Sequence, residues 1–326
     1  LRRTFVHYFV NLAIFAVFLS IYTFHSYYFN FLNESAHTFF RNLFFGYSAL
    51  GLPYYFFRFR FFCSEKEYAE DKLVVLFKFI FRGERDSQNS AAARTAALSY
   101  LVKVFFLPLM VNFFFNHWYN FWDVFRSADF NQGFKQFFWS TGYHLIYQLI
   151  FVIDTVFFAF AYTFEFRFLK NKIRSVDPFL SGWVVALICY PPFSSATGNF
   201  IPLEKGSAFI QNQFLIDFLG ISVLVAFVIY VWATVALGTK ASNLTNRGIV
   251  ARGPYRFVRH PAYIAKNLAW WFEFLPFLSV GTAFALLGWN IIYILRAFTE
   301  ERHLRADPEY REYCKKVRWR FIPGVF

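Results

Sequence analysis

The stretch FLIDFLGISVLVAFVIYVWATVAL, residues 214–237, decides the fold class. Its one charged residue is Asp217, near its start, and roughly 20 mostly apolar residues suffice for a membrane-spanning helix. Working outward, seven further stretches qualify or nearly qualify: 4–24, 38–57, 97–118, 141–164, 179–193, 264–278 and 281–298. The reading is an all-α integral membrane protein with about eight transmembrane helices, the last two forming a hairpin, followed by a cytoplasmic tail helix. The segment 179–193 is short and ends in Pro191-Pro192, so a tilted, re-entrant or broken helix is expected there.

Composition agrees. Of 326 residues, 57% are hydrophobic and 16% charged, where a soluble domain carries roughly 25% charged residues. The net charge of +13 would suggest nucleic acid in a soluble chain, but here the basic residues cluster beside apolar spans and a nucleic-acid partner is not expected. Four basic segments stand out. The first holds Arg58, Arg60, Lys66, Lys72, Lys78, Arg82, Arg85 and Arg94; the second Arg167, Lys170, Lys172 and Arg174. The third holds Lys240, Arg247, Arg252, Arg256 and Arg259, and the fourth Arg302, Arg305, Lys315, Lys316, Arg318 and Arg320. Eight alternating spans place all four on one side, which predicts a multi-pass protein with both termini cytoplasmic. Within the first segment, Lys72–Arg82 mixes apolar and basic residues and is too short to span, so an interfacial helix is expected. The N-terminal stretch lacks a small-residue cleavage site, so the first span is expected to be retained. Cys63, Cys189 and Cys314 are far apart without metal-ligand spacing, which predicts neither a disulfide framework nor a zinc site.

Ionisable residues inside spans mark functional or structural polar contacts. Asp154 sits mid-span in 141–164, with Gln148 near its face and His144 off it. Glu273 lies in 264–278 after Trp270 and Trp271. Either acid could form an interhelical hydrogen bond or ion pair. Lys103 and Asp217 lie nearer span ends, where side chains can reach the interface.

The chemistry concentrates in GPYRFVRHPAY, residues 253–263, and in Glu300-Glu301 after the last span. Pro261 fixes φ and starts a helix well, which holds Arg259 and His260 at a helix N-terminus, a natural place for a carboxylate or phosphate. A hairpin returns Glu300 and Glu301 to the same level. A cavity with a cation-binding end and a carboxylate-binding end suits a zwitterionic ligand such as S-adenosylmethionine.

Taken together these motifs resemble the C-terminal core shared by isoprenylcysteine carboxyl methyltransferases, phospholipid methyltransferases and their bacterial relatives. The matching positions are Gly253, Tyr255, Arg259, His260, Pro261, Tyr263, Glu300 and Glu301, with 309–313 similar to the family's tail helix. The resemblance covers roughly 248–326. It implies that these eight residues enclose an S-adenosylmethionine pocket and that residues 1–247 shape the site of a lipophilic acceptor. That acceptor could be a prenylcysteine carboxylate, an amino-lipid, a thiol or a small hydrophobic acid. A carboxylate needs no general base; for an amine or thiol, His260, Glu300 or Glu301 could serve. One departure is Ala265, where the family usually has Gly. Membrane sterol reductases, which bind NADPH, share the Arg-His-Pro-x-Tyr element and an Arg-x-Ile-Pro-Gly tail, but Glu300-Glu301 and 307–310 depart from their pattern. A non-catalytic scaffold that kept the fold is a third reading.

Overall fold

The computed structural model describes residues 1–62, 72–82, 87–166 and 168–325. Cys63, Lys66, Arg85 and Arg167, named above, lie outside the described residues. The regular structure of the described chain is helical apart from one pair of two-residue strands, and the chain forms two compact units, Leu1–Phe115 and Asn116–Phe326.

The first unit contains α1 (Arg2–Phe24), α2 (Ser26–Phe31), α3 (Glu34–Phe57), α4 (Lys72–Arg82) and the start of α5 (Ser87–Arg126). Asn33 caps α3, its Oδ1 accepting from the Ala36 backbone N–H at 2.8 Å. Its own N–H donates to Asn112 Oδ1 on α5 at 2.7 Å, and Asn112 Nδ2 donates to the Phe31 carbonyl at 2.9 Å. These bonds satisfy the polar groups of the α2–α3 turn in an apolar setting, where unpaired ones are costly. The expected interfacial segment is α4. It buries Leu73 and Val74 against Val10 of α1 and leaves Ile80 and Phe81 exposed.

The second unit continues with α6 (Phe134–Phe137), α7 (Tyr143–Thr163), α8 (Leu180–Leu187), α9 (Phe193–Phe200), α10 (Gln213–Leu237), α11 (Pro261–Phe274), α12 (Val280–Leu304) and α13 (Pro308–Lys316). Its apolar centre packs Ile150 of α7 against Val223, Ala226 and Phe227 of α10 and Ala269 of α11. β1 (Ser175–Val176) pairs antiparallel with β2 (Thr245–Asn246), so the loop after α7 is stitched to the loop after α10. Gly182 lets α8 rest on Asp177; a Cβ there would run into the Asp177 carboxylate.

Five helices are long and apolar enough to cross a membrane, by length and composition: Arg2–Phe24, Ser90–Arg126, Phe134–Thr163, Gln213–Lys240 and Val280–Leu304. The protein is a multi-pass integral membrane protein with fewer such helices than the eight expected stretches. Stretch 38–57 lies in α3, which is long enough but carries Glu34, His37, Arg41 and Asn42 in its first half. Stretch 179–193 is not a continuous span: α8 has eight residues and stops before Pro191-Pro192, which offer no N–H to continue it. Stretch 264–278 is shortened too. α11 has 14 residues, about 21 Å at 1.5 Å per residue, and a 3₁₀ turn at Leu275–Phe277 containing Pro276 ends it.

The intramembrane acids have partners. Asp154 Oδ1 accepts from Thr234 Oγ1 at 2.6 Å and Oδ2 from the Tyr230 hydroxyl at 3.0 Å, joining α7 to α10. Glu273 pairs with Lys205 at 2.8 Å, and Asp217 with Lys135 at 2.9 Å. Gln148 turns instead to His117, 2.7 Å from its Nδ1.

Candidate active site

The loop between α10 and α11 carries the motif. Gly253 has φ +59°, a region open to glycine, and a Cβ there would lie 2.9 Å from Ala236 Cβ on α10. Glycine therefore lets the loop lie against α10. Pro261 begins α11 and His260 precedes it at the N-cap position.

The tail locks this loop in place. The Arg259 N–H donates to the Trp319 carbonyl at 2.9 Å, and the His260 N–H to the Arg320 carbonyl at 3.0 Å. The Tyr313 hydroxyl donates to the Tyr255 carbonyl at 2.6 Å. Tyr310, Tyr313 and Val317 pack against Ile249, Tyr255 and Leu304. Burial raises the Tyr255 hydroxyl well above its ordinary pKa, the charge of Glu300 adding to the effect, so it is a neutral donor. Asp307 anchors the start of α13. Its Oδ2 accepts from Asn246 Nδ2 at 2.7 Å and lies 3.2 Å from Arg174 Nη1, and its Oδ1 caps the helix through the Glu309 N–H at 2.9 Å.

Glu300 and Glu301 are adjacent yet meet different surroundings. The Glu301 side chain is 2% exposed and ringed by cations. Oε1 lies 3.2 Å from Arg259 Nε, an ion-pair contact without hydrogen-bond alignment, and 3.2 Å from His260 Nε2. Oε2 lies 3.1 Å from Arg320 Nε and 3.4 Å from Arg305 Nη2. The carboxylate that reaches the N-terminus of α11 is thus the chain's own. Glu300 instead faces a cavity, its Oε2 accepting from the Tyr263 hydroxyl at 2.7 Å. Consecutive helix residues point about 100° apart, which separates the two fates.

That cavity occupies about 650 Å³ including its mouth. α7 lends Phe158 to its wall, α10 Tyr230 and Thr234, α11 Tyr263 and Lys266, and α12 Tyr293 and Arg296; Tyr255, Arg259 and His260 line it from the loop. A second hollow of about 400 Å³ lies beyond a shared wall of Ser242, Asn243, Tyr263, Arg296 and Glu300, and reaches Asp177 and His303. Of the sequence-predicted residues, Tyr255, Arg259, His260, Tyr263 and Glu300 line the larger cavity. Gly253 and Pro261 shape the backbone beside it, and Glu301 sits behind it as the hub of the clasp. Ala265 is buried.

Several lining residues lie outside the predicted set. Arg296 is buried, donates to Asn243 Oδ1, and stands 5.6, 5.2 and 5.9 Å from the ring centroids of Tyr190, Tyr263 and Tyr293. Lys266 lies 5.3 Å from the Trp270 ring centroid and 5.7 Å from that of Tyr293. A charged residue inside an apolar stretch was the signal available for both.

Residues 218–307 match the model of the phospholipid methyltransferase family. This part of a membrane protein is therefore similar to phospholipid methyltransferases. The matched stretch contains the whole Gly253–Tyr263 motif, Lys266, Arg296 and both glutamates; α13 and the closing tail lie beyond it. No curated protein matches the chain.

Proposed function

We propose that the protein is an integral membrane methyltransferase that uses S-adenosylmethionine to methylate a lipophilic acceptor, with residues 248–326 holding the cofactor and residues 1–247 shaping the acceptor site. The observation that carries this reading is the pairing of Glu300 and Arg296 on one aromatic-walled cavity inside the stretch that matches the methyltransferase family. The donor set fits the cofactor's zwitterionic end: Glu300 offers a carboxylate to an ammonium, and Arg296, which has no carboxylate within 4.0 Å among the described residues, offers a fork to a carboxylate. Tyr190, Tyr263 and Tyr293 surround the Arg296 guanidinium and hold it at the cavity wall. When bound, the cofactor supplies an electrophilic methyl: the acceptor–carbon bond forms as the carbon–sulfur bond breaks, and S-adenosylhomocysteine leaves as a neutral thioether.

The chain's own work is positioning. Two reactants held in line convert a bimolecular displacement into an effectively unimolecular one. Glu301 acts through others: by drawing Arg259, His260 and Arg320 together, it fixes the loop and tail that close one side of the cavity. For an amine or thiol acceptor, Glu300 and His260 are the proton-accepting groups on the cavity wall. The cofactor enters on the side closed by the motif loop and the tail, and the acceptor from lipid.

A ligand of the native state raises thermal stability by mass action. S-adenosylhomocysteine is expected to raise the melting temperature of the purified protein in detergent, and NADPH to leave it unchanged. Stabilisation by NADPH alone would replace this reading with the reductase.

A further inference from the structure

Two cations converge on one ring in this cavity. Lys266 Nζ lies 5.7 Å from the Tyr293 ring centroid and the Arg296 guanidinium 5.9 Å from it. Both line the cavity, and among the described residues neither has a carboxylate within 4.0 Å. The nearest acids stand further off: Glu300 accepts from the Tyr263 hydroxyl and faces the cavity, and Asp154, behind the wall, accepts from Thr234 and Tyr230 and feels Lys266 only through space. Partly buried charges are normally paired, and two like charges around one ring raise the cost of leaving them unpaired. A ligand group that brings negative charge beside Lys266 and Arg296 relieves that cost.

The cofactor assigned above brings one carboxylate, and Arg296 is the cation placed to take it, beside Asn243, Tyr190 and Tyr263. Lys266 is left. It lies one turn further along α11 than Tyr263, about 4.5 Å deeper from the motif loop on the same helix face. Trp270 and Tyr293 hold its ammonium while leaving its N–H donors available to the cavity.

The geometry points to Lys266 as the residue that binds an anionic oxygen group, phosphate or carboxylate, on the methyl acceptor, which is accordingly an anionic amphiphile. The word acceptor rests on the methyltransferase reading; the anion site does not.

The test uses three amphiphiles with one chain length: hexadecyl phosphate, hexadecanoate and hexadecanol. Their binding to the full-length protein in nonionic micelles is measured by calorimetry, with S-adenosylhomocysteine binding measured separately, for the parent, Lys266→Met and Lys266→Arg. The parent should prefer the two anions over the alcohol by at least about tenfold, and the tighter anion tells a lipid phosphate from a carboxylate head. A charge-assisted hydrogen bond is worth roughly a factor of ten to a hundred, so Lys266→Met should lose that preference by this factor. Lys266→Arg should keep it, and S-adenosylhomocysteine affinity should stay within about threefold in both variants. Equal binding of alcohol and anions by the parent overturns the proposal even if a variant fails to fold. An anion preference that survives Lys266→Met overturns it too, as does a selective loss of S-adenosylhomocysteine binding, which would assign Lys266 to the cofactor. A Lys266-dependent anion preference in a protein that does not bind S-adenosylhomocysteine would uphold the anion site and overturn only the methyltransferase reading.

Discussion

Glu301 Oε1 lies 3.2 Å from His260 Nε2 although 41 residues separate them, and the pair is nearly closed to solvent. The next residue back, Glu300, hydrogen-bonds Tyr263 across the cavity instead. One short acidic motif thus supplies both a structural hub and a cavity-facing group.

The two glutamates should therefore separate by substitution. Glu300→Gln should lower S-adenosylhomocysteine affinity roughly tenfold to a hundredfold with little change in melting temperature. Glu301→Ala removes the centre of a buried cluster of cations and should destabilise by about 3–5 kcal/mol, read as a lower melting temperature and earlier proteolysis of the tail. Loss of cofactor affinity with unchanged stability in Glu301→Ala would reverse the assignment.

Gly253 is predicted to be intolerant of any side chain. Its positive φ and the 2.9 Å approach to Ala236 mean that Gly253→Ala should cost more than about 1 kcal/mol and weaken ligand binding by displacing Tyr255. A stable, fully binding Gly253→Ala protein would show that the loop packs differently.

Tail docking should depend on acid pH through Asp307. Burial alone would raise this carboxyl, but the Asn246 amide, the Glu309 N–H and the Arg174 guanidinium outweigh it and hold the pKa below its ordinary value of 3.8. A depressed folded-state pKa adds stability above the unfolded value and loses it as pH falls through the folded one. Protection of the tail from protease should hold at neutral pH and fail progressively below about pH 4. In Asp307→Asn it should be weaker at neutral pH and less sensitive to acid over that window. Identical acid profiles for the two proteins would remove Asp307 from the tail's anchorage.

How much of this was legible in the sequence depended on whether the signal was local. Arg259, His260, Pro261 and Tyr263 are contiguous with a helix start, and Glu300-Glu301 follow an apolar helix, so their convergence could be read from the hairpin alone. The division of labour between the two glutamates required the helical phase of α12 and the path of the tail, which brings Arg320 back to Glu301. Lys266 and Arg296 left a signal, charge within apolar stretches, that the motif overshadowed. Asn243 and Tyr190 left none, because a loop asparagine and an isolated tyrosine gain their roles only from tertiary contacts. Hydropathy found the five long helices but overstated 179–193 and 264–278. Apolar content reports burial or lipid contact without reporting chain direction, and Pro191, Pro192 and Pro276 turn the chain there.

The proposed function requires methyl transfer in the cavity beside Glu300. It is tested most directly by incubating the purified protein with S-adenosylmethionine labelled in its methyl group and a membrane lipid extract, then measuring label in the organic phase. The parent should methylate a lipophilic product, S-adenosylhomocysteine should inhibit, and Glu300→Gln should reduce the rate at least about tenfold at subsaturating cofactor. Lipid labelling that is absent from the parent, or equal in parent and Glu300→Gln, would contradict it.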